Sequence, residues 1–218
     1  MSAQPKPESY FNRKLTVEEY LAFDAASDEK YDLVDGYLKS VQGMAGGTME
    51  QSALNANVIR HLGNALDAKP CRVFDSNLKV RIGHKQKYRY PDALVVCGTP
   101  EFDESDTKRT TVLNPVLIVE VLSASSFQRD LNTKFSEYRE IASFREYVVI
   151  EQVAAEILVY YKQDDGTWLF TPASGLDASV RLRSIDVDLK LKDVYAGVTF
   201  PPVVQEVVAA PAVLGETT

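Results

Sequence analysis

Hydrophobic and polar residues follow two kinds of pattern along this chain. Leu54, Val58, Leu62 and Leu66 recur every four residues, which is typical of the buried face of a helix from about Glu50 to Leu66. Shorter apolar runs, such as "PDALVVC" and "PVLIVEVLS", predict strands. The second run is continuous enough to be covered on both faces of a sheet.

Other segments give local signals for helices and turns. Thr16 with Glu19 forms a capping box at the start of "LTVEEYLAF", and Asp35-Gly36 predicts a hairpin turn within "KYDLVDGYLKSV". "RDLNTKFSEYREIAS" predicts a helix with Asp130 as its N-cap. The inward side chains of this helix would be Leu131, Phe135, Tyr138 and Ala142.

The order of these elements predicts one domain of the α/β (α+β) class, with a mixed central β-sheet flanked by helices. We expect residues 1–14 to be a flexible lead-in and residues 15–200 to form the domain. Residues 201–218, which are rich in Val, Ala and Pro, are expected to be a flexible tail.

Charge is unevenly distributed over the 218 residues. The net charge is -7, which argues against broad nucleic-acid binding. Between Lys69 and Tyr90, however, seven basic side chains stand against Asp75 alone. This segment is either a basic side that meets a polyanion or a solvated hairpin with mixed charge.

The sequence also bears on location. No apolar run approaches the roughly 20 residues that span a bilayer, and "MSAQPKPESYFNRK" lacks the apolar core of a signal peptide. With Cys71 and Cys97 as the two cysteines, neither a disulfide framework nor a cysteine-based zinc site is expected. We therefore predict a cytoplasmic protein without a membrane partner.

Two residues break the polarity pattern in adjoining elements. Glu120 lies inside the apolar run of "NPVLIVEVLSASS", where a buried carboxylate needs a partner or a cation. Lys134 lies within the inward stripe of the following helix, where it must snorkel, pair or serve a site. The two residues could share one site, or they could form a purely structural ion pair.

Asp92 adds a second carboxylate at the start of a neighbouring predicted strand. Alone it is typical of a turn after Pro91. Together, Asp92 and Glu120 offer the oxygen ligands that Mg²⁺ prefers, and a lysine beside them can orient water and offset phosphate charge. The three residues have the components for metal-assisted hydrolysis of a phosphodiester.

Several ordered motifs resemble those of one known family. "YRYPDALVVCG", "NPVLIVEVLSASS", "RDLNTKFSEYR" and "EYVVI", with the upstream "KYDLVDGYL" and "CRVFDSNLKVRI", are similar to the Uma-two endonuclease family of the PD-(D/E)XK nuclease superfamily. The resemblance covers Leu15 to Tyr195 and implies a restriction-endonuclease-like fold. Each motif is loose, but their ordered combination is specific.

The resemblance assigns roles to residues. Asp92 matches the aspartate of the PD motif and Glu120 matches the second acidic residue. The superfamily lysine would fall at Leu122, but in this family it comes from the following helix, where Lys134 matches. Glu50 is a weak match for an acidic helper on the first core helix. The chain departs from the family where Gln51 replaces a frequent histidine and where Asp32 replaces a frequent glutamate.

The expected function is hydrolysis of DNA by a homodimer that uses Mg²⁺, or Mn²⁺ in its place. Asp92 and Glu120 would hold the metal, and Lys134 would activate or orient water. Candidate phosphate contacts are Arg72, Lys79, Arg81, Lys85 and Lys87. The alternative is a non-catalytic nucleic-acid- or protein-binding module in which Glu120 and Lys134 form a structural pair. In that case Glu120→Ala would cost on the order of 3–5 kcal/mol of stability.

Overall fold

The computed structural model describes residues 10–41, 48–83, 87–122 and 127–201. These residues form four helices: α1 Val17–Ala26, α2 Met49–Leu66, α3 Phe127–Tyr138 and α4 Leu191–Val194. They also form 13 strands: β1 Tyr31–Val34, β2 Tyr37–Ser40, β3 Cys71–Asp75, β4 Lys79–Arg81, β5 Tyr88–Arg89, β6 Ala93–Cys97, β7 Thr111–Val112, β8 Leu117–Leu122, β9 Glu146–Glu151, β10 Glu156–Lys162, β11 Trp168–Ser174, β12 Ser179–Leu182 and β13 Val187–Lys190. Lys85, most of the predicted lead-in and nearly all of the predicted tail lie outside the described residues, so the predicted domain limits stay predictions.

The central sheet has six strands in the order β11-β10-β9-β8-β6-β3 among the described residues. Strands β8 and β9 are parallel, whereas the other neighbours are antiparallel. The predicted mixed sheet flanked by helices is therefore confirmed.

Strand β8 is buried along its whole length because both faces of the sheet are covered there. Leu117, Val119 and Val121 pack in one core cluster with the α2 leucines. Ile118 and Leu122 pack in a second cluster that includes Tyr138 of α3. The apolar run of β8 is continuous because side chains on both faces of the strand are buried in these two clusters, as predicted.

Helix α2 has the predicted buried face. Leu54, Val58, Leu62 and Leu66 are at most 1% exposed. The side chain of Thr48 caps the helix by accepting a hydrogen bond from the backbone N–H of Gln51. This amphipathic helix therefore covers the face of the sheet that carries Val119.

A second sheet, in the order β2-β1-β5-β4-β7, adjoins the first along the chain. The capping box of α1 and the β1–β2 hairpin are present as predicted. Asp35 and Gly36 take positive φ angles of 53° and 90°, as a tight hairpin turn requires. Only Tyr90 and Pro91 separate Arg89 in this sheet from Asp92 beside the central sheet, so the two sheets meet at the predicted site.

Two predictions for α3 are wrong. The helix begins at Phe127, three residues before Asp130, so Asp130 is not its N-cap. The helix ends at Tyr138, and the backbone N–H of Ile141 bonds to the carbonyl of Tyr138 in a tighter turn. This turn buries Ile141 and leaves Ala142 exposed, whereas the stripe predicted Ala142 on the inward face.

The two cysteines lie directly opposite each other on β3 and β6 and form a disulfide. This bond was not predicted, because the pairing of distant strands is not visible in a spacing of 26 residues. We expected no disulfide framework, and this expectation is corrected: one disulfide links the two neighbouring strands. Among the helices in the described part of the chain, none has both the length and the apolar character needed to cross a bilayer.

Candidate active site

Asp92 lies at the point where the pairing between β6 and β8 ends. The last pair in this antiparallel register is Ala93 with Val119, so the next positions along the two strands are Asp92 and Glu120. The Asp92 carboxylate continues the ladder by accepting a hydrogen bond from the backbone N–H of Val121 at 2.8 Å. Its other oxygen accepts a hydrogen bond from the side-chain amide of Asn55 at 3.0 Å. Both oxygens are therefore held in a fixed orientation.

Glu120 is 2% exposed on the face of β8 that packs against α3. Its Oε2 lies 2.7 Å from the Nζ of Lys134. Its Oε1 accepts a hydrogen bond from the Tyr138 hydroxyl, also at 2.7 Å. Lys134 and Tyr138 are four residues apart on α3, so one helix face supplies both partners.

Burial and neighbouring charges shift the pKa values of Asp92 and Lys134. Burial and the neighbouring Glu120 raise the pKa of Asp92 to about 6. Burial alone would lower the pKa of Lys134, but Glu120 and Asp32 outweigh it and raise that pKa. The ammonium of Lys134 therefore faces more than one carboxylate.

The three residues predicted to carry the chemistry are brought together. Glu120 contacts Lys134 directly. Asp92 stands opposite Glu120, one position beyond the last register pair of β6 and β8, and accepts a hydrogen bond from the N–H of the next residue, Val121. Two carboxylates and one ammonium thus converge where β6, β8 and α3 meet.

A buried ion network adjoins this trio and was not predicted. Arg89 donates hydrogen bonds to Asp32 of β1 at 2.9 Å and to Glu137 of α3 at 2.7 Å. Asp32 also accepts from the backbone N–H of Tyr90 at 2.9 Å. All three charged residues of this network are at most 7% exposed. Burial raises the pKa of Asp32, although Arg89 opposes the shift.

Sequence reasoning missed the partners Asn55, Arg89, Glu137 and Tyr138. For Tyr138 a signal existed, because it lies one turn after Lys134 in the same inward stripe. Asn55 directly follows the buried Leu54 on α2. A polar residue at this position was a weaker sign that the side chain contacts the site. The ion pair between Arg89 and Glu137 spans 48 residues, so no local pattern could indicate it.

Three of the predicted phosphate contacts form ion pairs within the molecule. Lys79 is 1% exposed and pairs with Asp24 and Asp106 at 2.9 and 3.3 Å. Arg81 pairs with Asp103, and Lys87 pairs with Glu137 and Asp35. The buried ammonium of Lys79 cannot reach a phosphate in this conformation, so we drop Lys79 from the candidates.

The remaining predicted residues differ in their position. Arg72 is exposed on β3 and donates to the backbone carbonyls of Lys69 and Cys71. Glu50 lies in the first turn of α2 and is partly exposed. The α2 side chain that bonds to Asp92 is that of Asn55 rather than that of the predicted helper Glu50.

The donor set suits a hard divalent cation with few protein ligands. Within the described ranges, no group of three or more His, Cys, Asp or Glu side chains could hold a metal ion. Asp92 and Glu120 supply carboxylate oxygens, and the buried Oδ1 of Asn55 has no hydrogen-bond partner among the described residues. In proteins, Mg²⁺ is usually bound through one or two carboxylates plus water and phosphate oxygens. The two carboxylates of this site match that pattern.

Comparison with known proteins finds a matching family model, similar curated proteins and a similar solved structure. The model of the Uma2 family, described as "Putative restriction endonuclease", matches residues 17–192. Two uncharacterized proteins of Synechocystis sp. (strain ATCC 27184 / PCC 6803 / Kazusa) are each 32% identical to the chain. The protein slr1290 aligns over 86% of the chain and 94% of its own length, and sll1609 aligns over 76% and 91%.

A solved structure has a similar fold. It is described as a putative nuclease belonging to DUF820 from Anabaena variabilis ATCC 29413. The TM-score is 0.64 at 17% identity, and the match covers 83% of this chain and 97% of that chain. At this identity the similarity concerns the fold, which is restriction-endonuclease-like. Because the family model covers most of the chain and the motifs occur in the matching order, the protein belongs to the Uma2 family.

Proposed function

We propose that this protein is a metal-dependent endonuclease that hydrolyses phosphodiester bonds in DNA. The observation that carries the proposal is the placement of Asp92 beside Glu120 at the end of the β6–β8 pairing, with the Lys134 ammonium bonded to Glu120. Family membership and the shared fold support a nuclease. The identity of the residues at this position supports hydrolysis.

The two carboxylates would hold Mg²⁺, with Mn²⁺ as a substitute. When bound, such a cation lowers the pKa of bound water and stabilises negative charge on a phosphoryl group. The uncompensated negative charge of the two carboxylates beside one ammonium favours binding a cation.

The residues of the chain have separate roles in this proposal. Val121 and Asn55 orient Asp92 through both of its oxygens. Lys134 would orient the attacking water and offset phosphate charge in the transition state. Tyr138 holds Glu120 in the rotamer that faces this lysine.

The substrate and the assembly are proposed from the resemblance and from chemistry. DNA is the substrate class of restriction enzymes, and cutting two strands requires two sites. We therefore propose a homodimer. Among the described residues, the retained candidates for phosphate contact are the exposed Arg72 and the partly exposed Arg81 and Lys87.

One observation favours a non-catalytic alternative. Both oxygens of Glu120 already have protein partners at 2.7 Å. A carboxylate satisfied in this way is also what a structural ion pair would show. On this reading the protein is a binding module on a nuclease fold.

Calorimetric titration with Mg²⁺ and with Mn²⁺ distinguishes the two readings. We expect the wild-type protein to bind metal and Glu120→Gln to bind it much more weakly, because an amide is a poorer ligand than a carboxylate. The exposed Glu18 on α1 offers the matched control, and Glu18→Gln should bind as the wild type does. Absence of metal binding by the wild-type protein would overturn the catalytic proposal.

Cleavage of plasmid DNA adds a second measurement on the same proteins. Lys134→Met should bind metal but cleave about 100- to 10,000-fold more slowly, since the water-orienting ammonium is lost. Lys39→Met, at an exposed position on β2, should cleave at the wild-type rate. Equal rates for Lys134→Met and the wild type would remove Lys134 from the mechanism.

A further inference from the structure

The outer strands of the central sheet carry aromatic side chains on the same face as Glu120. Register partners on neighbouring strands project from the same face of a sheet. The row that starts on β8 with Glu120 continues through Val149, Leu158 and Pro172. The adjacent row consists of Ile118, Tyr147, Tyr160 and Phe170. At about 4.8 Å between strands, Phe170 of β11 lies about 14 Å from β8 along its row.

Helix α3 covers this face only in part. Its Phe135 stacks on the buried Tyr147, with 5.6 Å between the ring centroids. Farther out, three rings are open to solvent: Tyr160 and Trp168 are partly exposed and Phe170 is 48% exposed. We call these three residues the aromatic platform. Ring contacts hold it in place, since the centroid of Tyr160 lies 4.6 Å from that of Phe135 and 4.9 Å from that of Phe170.

A row of basic side chains borders the aromatic platform. Lys162 is the register partner of Trp168, and its backbone N–H bonds to the carbonyl of Arg145, which continues the row. The guanidinium of Arg139 on α3 lies 5.6 Å from the ring centroid of Phe135 and 5.8 Å from that of Trp168. Within the described ranges, Arg139, Arg145 and Lys162 form no ion pair. Their charge is therefore available, unlike that of the internally paired basic residues described above.

The acidic residues nearest to this row along the chain are Asp164 and Asp165. They lie in the turn that follows Lys162, beyond the ends of the two strands. Asp165 accepts hydrogen bonds from the backbone N–H and the hydroxyl of Thr167. Its carboxylate is thus engaged within its own turn and does not neutralise the basic row.

We propose that the aromatic platform and the basic row bind an unpaired strand of DNA. Bases stack on the rings of Phe170 and Trp168, and phosphates contact Lys162 and Arg145. Aromatic rings beside a positive surface are the means by which proteins hold single strands without reading their sequence. In a duplex the faces of the bases are already stacked on one another, so this surface selects an unpaired strand. The inference deepens the proposed function, on which the choice of DNA rests.

A second copy of the chain fits this surface less well. In a two-fold interface the same patch lies on both sides, so Arg139, Arg145 and Lys162 would face basic side chains of the other copy. Like charges placed together in this way oppose association. The phosphates of a DNA strand instead supply the negative charge that the surface lacks.

Trp168 provides a direct probe, because it is the single tryptophan of the chain. Titration of the full-length protein with oligodeoxythymidine in metal-free buffer should quench its fluorescence as bases stack. Phe170→Ala should weaken this binding about 5- to 100-fold, as expected for the loss of one stacked base. Tyr37→Ala is the matched control. It removes a ring that is 43% exposed on β2, and it should bind as the wild type does.

Lys162→Gln tests the basic row independently of any folding defect in Phe170→Ala. It should reduce the slope of log K against log salt by about 0.7, the value for one phosphate contact with a single strand. Lys190→Gln, at an exposed position on β13, should keep the wild-type slope.

Unchanged Trp168 fluorescence during the titration, or wild-type affinity in a folded Phe170→Ala, would overturn the inference. Sedimentation would also overturn it if Phe170→Ala dissociated a dimer and kept strand binding, because the surface would then join two copies. None of these measurements needs the metal. A protein that binds Mg²⁺ and cleaves DNA but fails them loses this inference alone, whereas strand binding without Mg²⁺ binding would overturn only the proposed cleavage.

Discussion

The carboxyl group of Asp92 is subject to opposing influences. Burial and Glu120 raise its pKa to about 6, whereas the N–H of Val121, Lys134 and the amide of Asn55 act to lower it. The ordinary value of 3.8 applies to the unfolded chain. Between these two values the folded protein retains a proton that the unfolded chain has released. Asp92 therefore reduces stability increasingly as the pH rises through this window.

Because the ionised Asp92 lowers the stability of the folded protein, the variant Asp92→Asn should be more stable than the wild type at higher pH. Compared with the wild type, the variant should gain roughly 1–3 kcal/mol of unfolding free energy between pH 4 and pH 7, because it lacks the buried charge. Urea unfolding at the two pH values measures this difference. Asp165→Asn, at an exposed turn, is the control and should show a much smaller change. A difference between Asp92→Asn and the wild type that does not vary with pH would contradict the raised pKa.

Among the secondary-structure elements, α3 connects the most parts of the site. Lys134 and Tyr138 bond to Glu120 on β8. Glu137, on the same helix, bonds to Arg89 on β5, which in turn bonds to Asp32 on β1. The helix therefore links the central sheet to the second sheet through buried charges.

Arg89 is the residue on which this link depends. Arg89→Leu should destabilise the protein by about 3–5 kcal/mol, because it leaves Asp32 and Glu137 buried without their cation. Urea unfolding measures the loss. Arg181 also pairs with two carboxylates, but at the surface, so Arg181→Leu should cost less than about 1 kcal/mol. Similar losses for the two variants would show that the buried network does not stabilise the fold.

The elements with strong local patterns could be predicted from the sequence. The leucine spacing of α2, the capping box of α1 and the doubly covered β8 agree with the structure. The start of α3 was missed because a single N-cap candidate is weak evidence for a helix boundary.

The site was predicted to the extent that its residues break a pattern. Glu120 and Lys134 are polar within apolar stripes, and this anomaly located them. Asn55 and Arg89 break no strong pattern, and their partners lie 37 and 48 or more residues away. Contacts of this kind depend on the tertiary fold and not on periodicity.

At the scale of the whole molecule, much of the basic charge in the Lys69–Tyr90 segment is neutralised internally. Lys79, Arg81 and Lys87 each pair with acidic side chains. With a net charge of -7, we expect weak binding to duplex DNA that relies on few phosphate contacts.

The salt dependence of DNA binding tests whether Arg72 makes one of these few phosphate contacts. Arg72→Gln should reduce the slope of log K against log salt by about 1, as expected for the loss of one phosphate contact. Fluorescence anisotropy over a salt series measures the slope. Arg60→Gln, at an exposed position on α2, is the control and should leave the slope unchanged. An unchanged slope for Arg72→Gln would remove Arg72 from the interface.

The register of the outermost strand has a consequence for assembly. Pro172 lies in the middle of β11, opposite Leu158 of β10, and it has no N–H to offer a further strand. A second chain that tried to extend the central sheet at this edge would meet a missing donor halfway along, which protects the edge against aggregation. The homodimer we propose must therefore form through some other surface, and joining the two molecules into one continuous sheet across β11 is disfavoured.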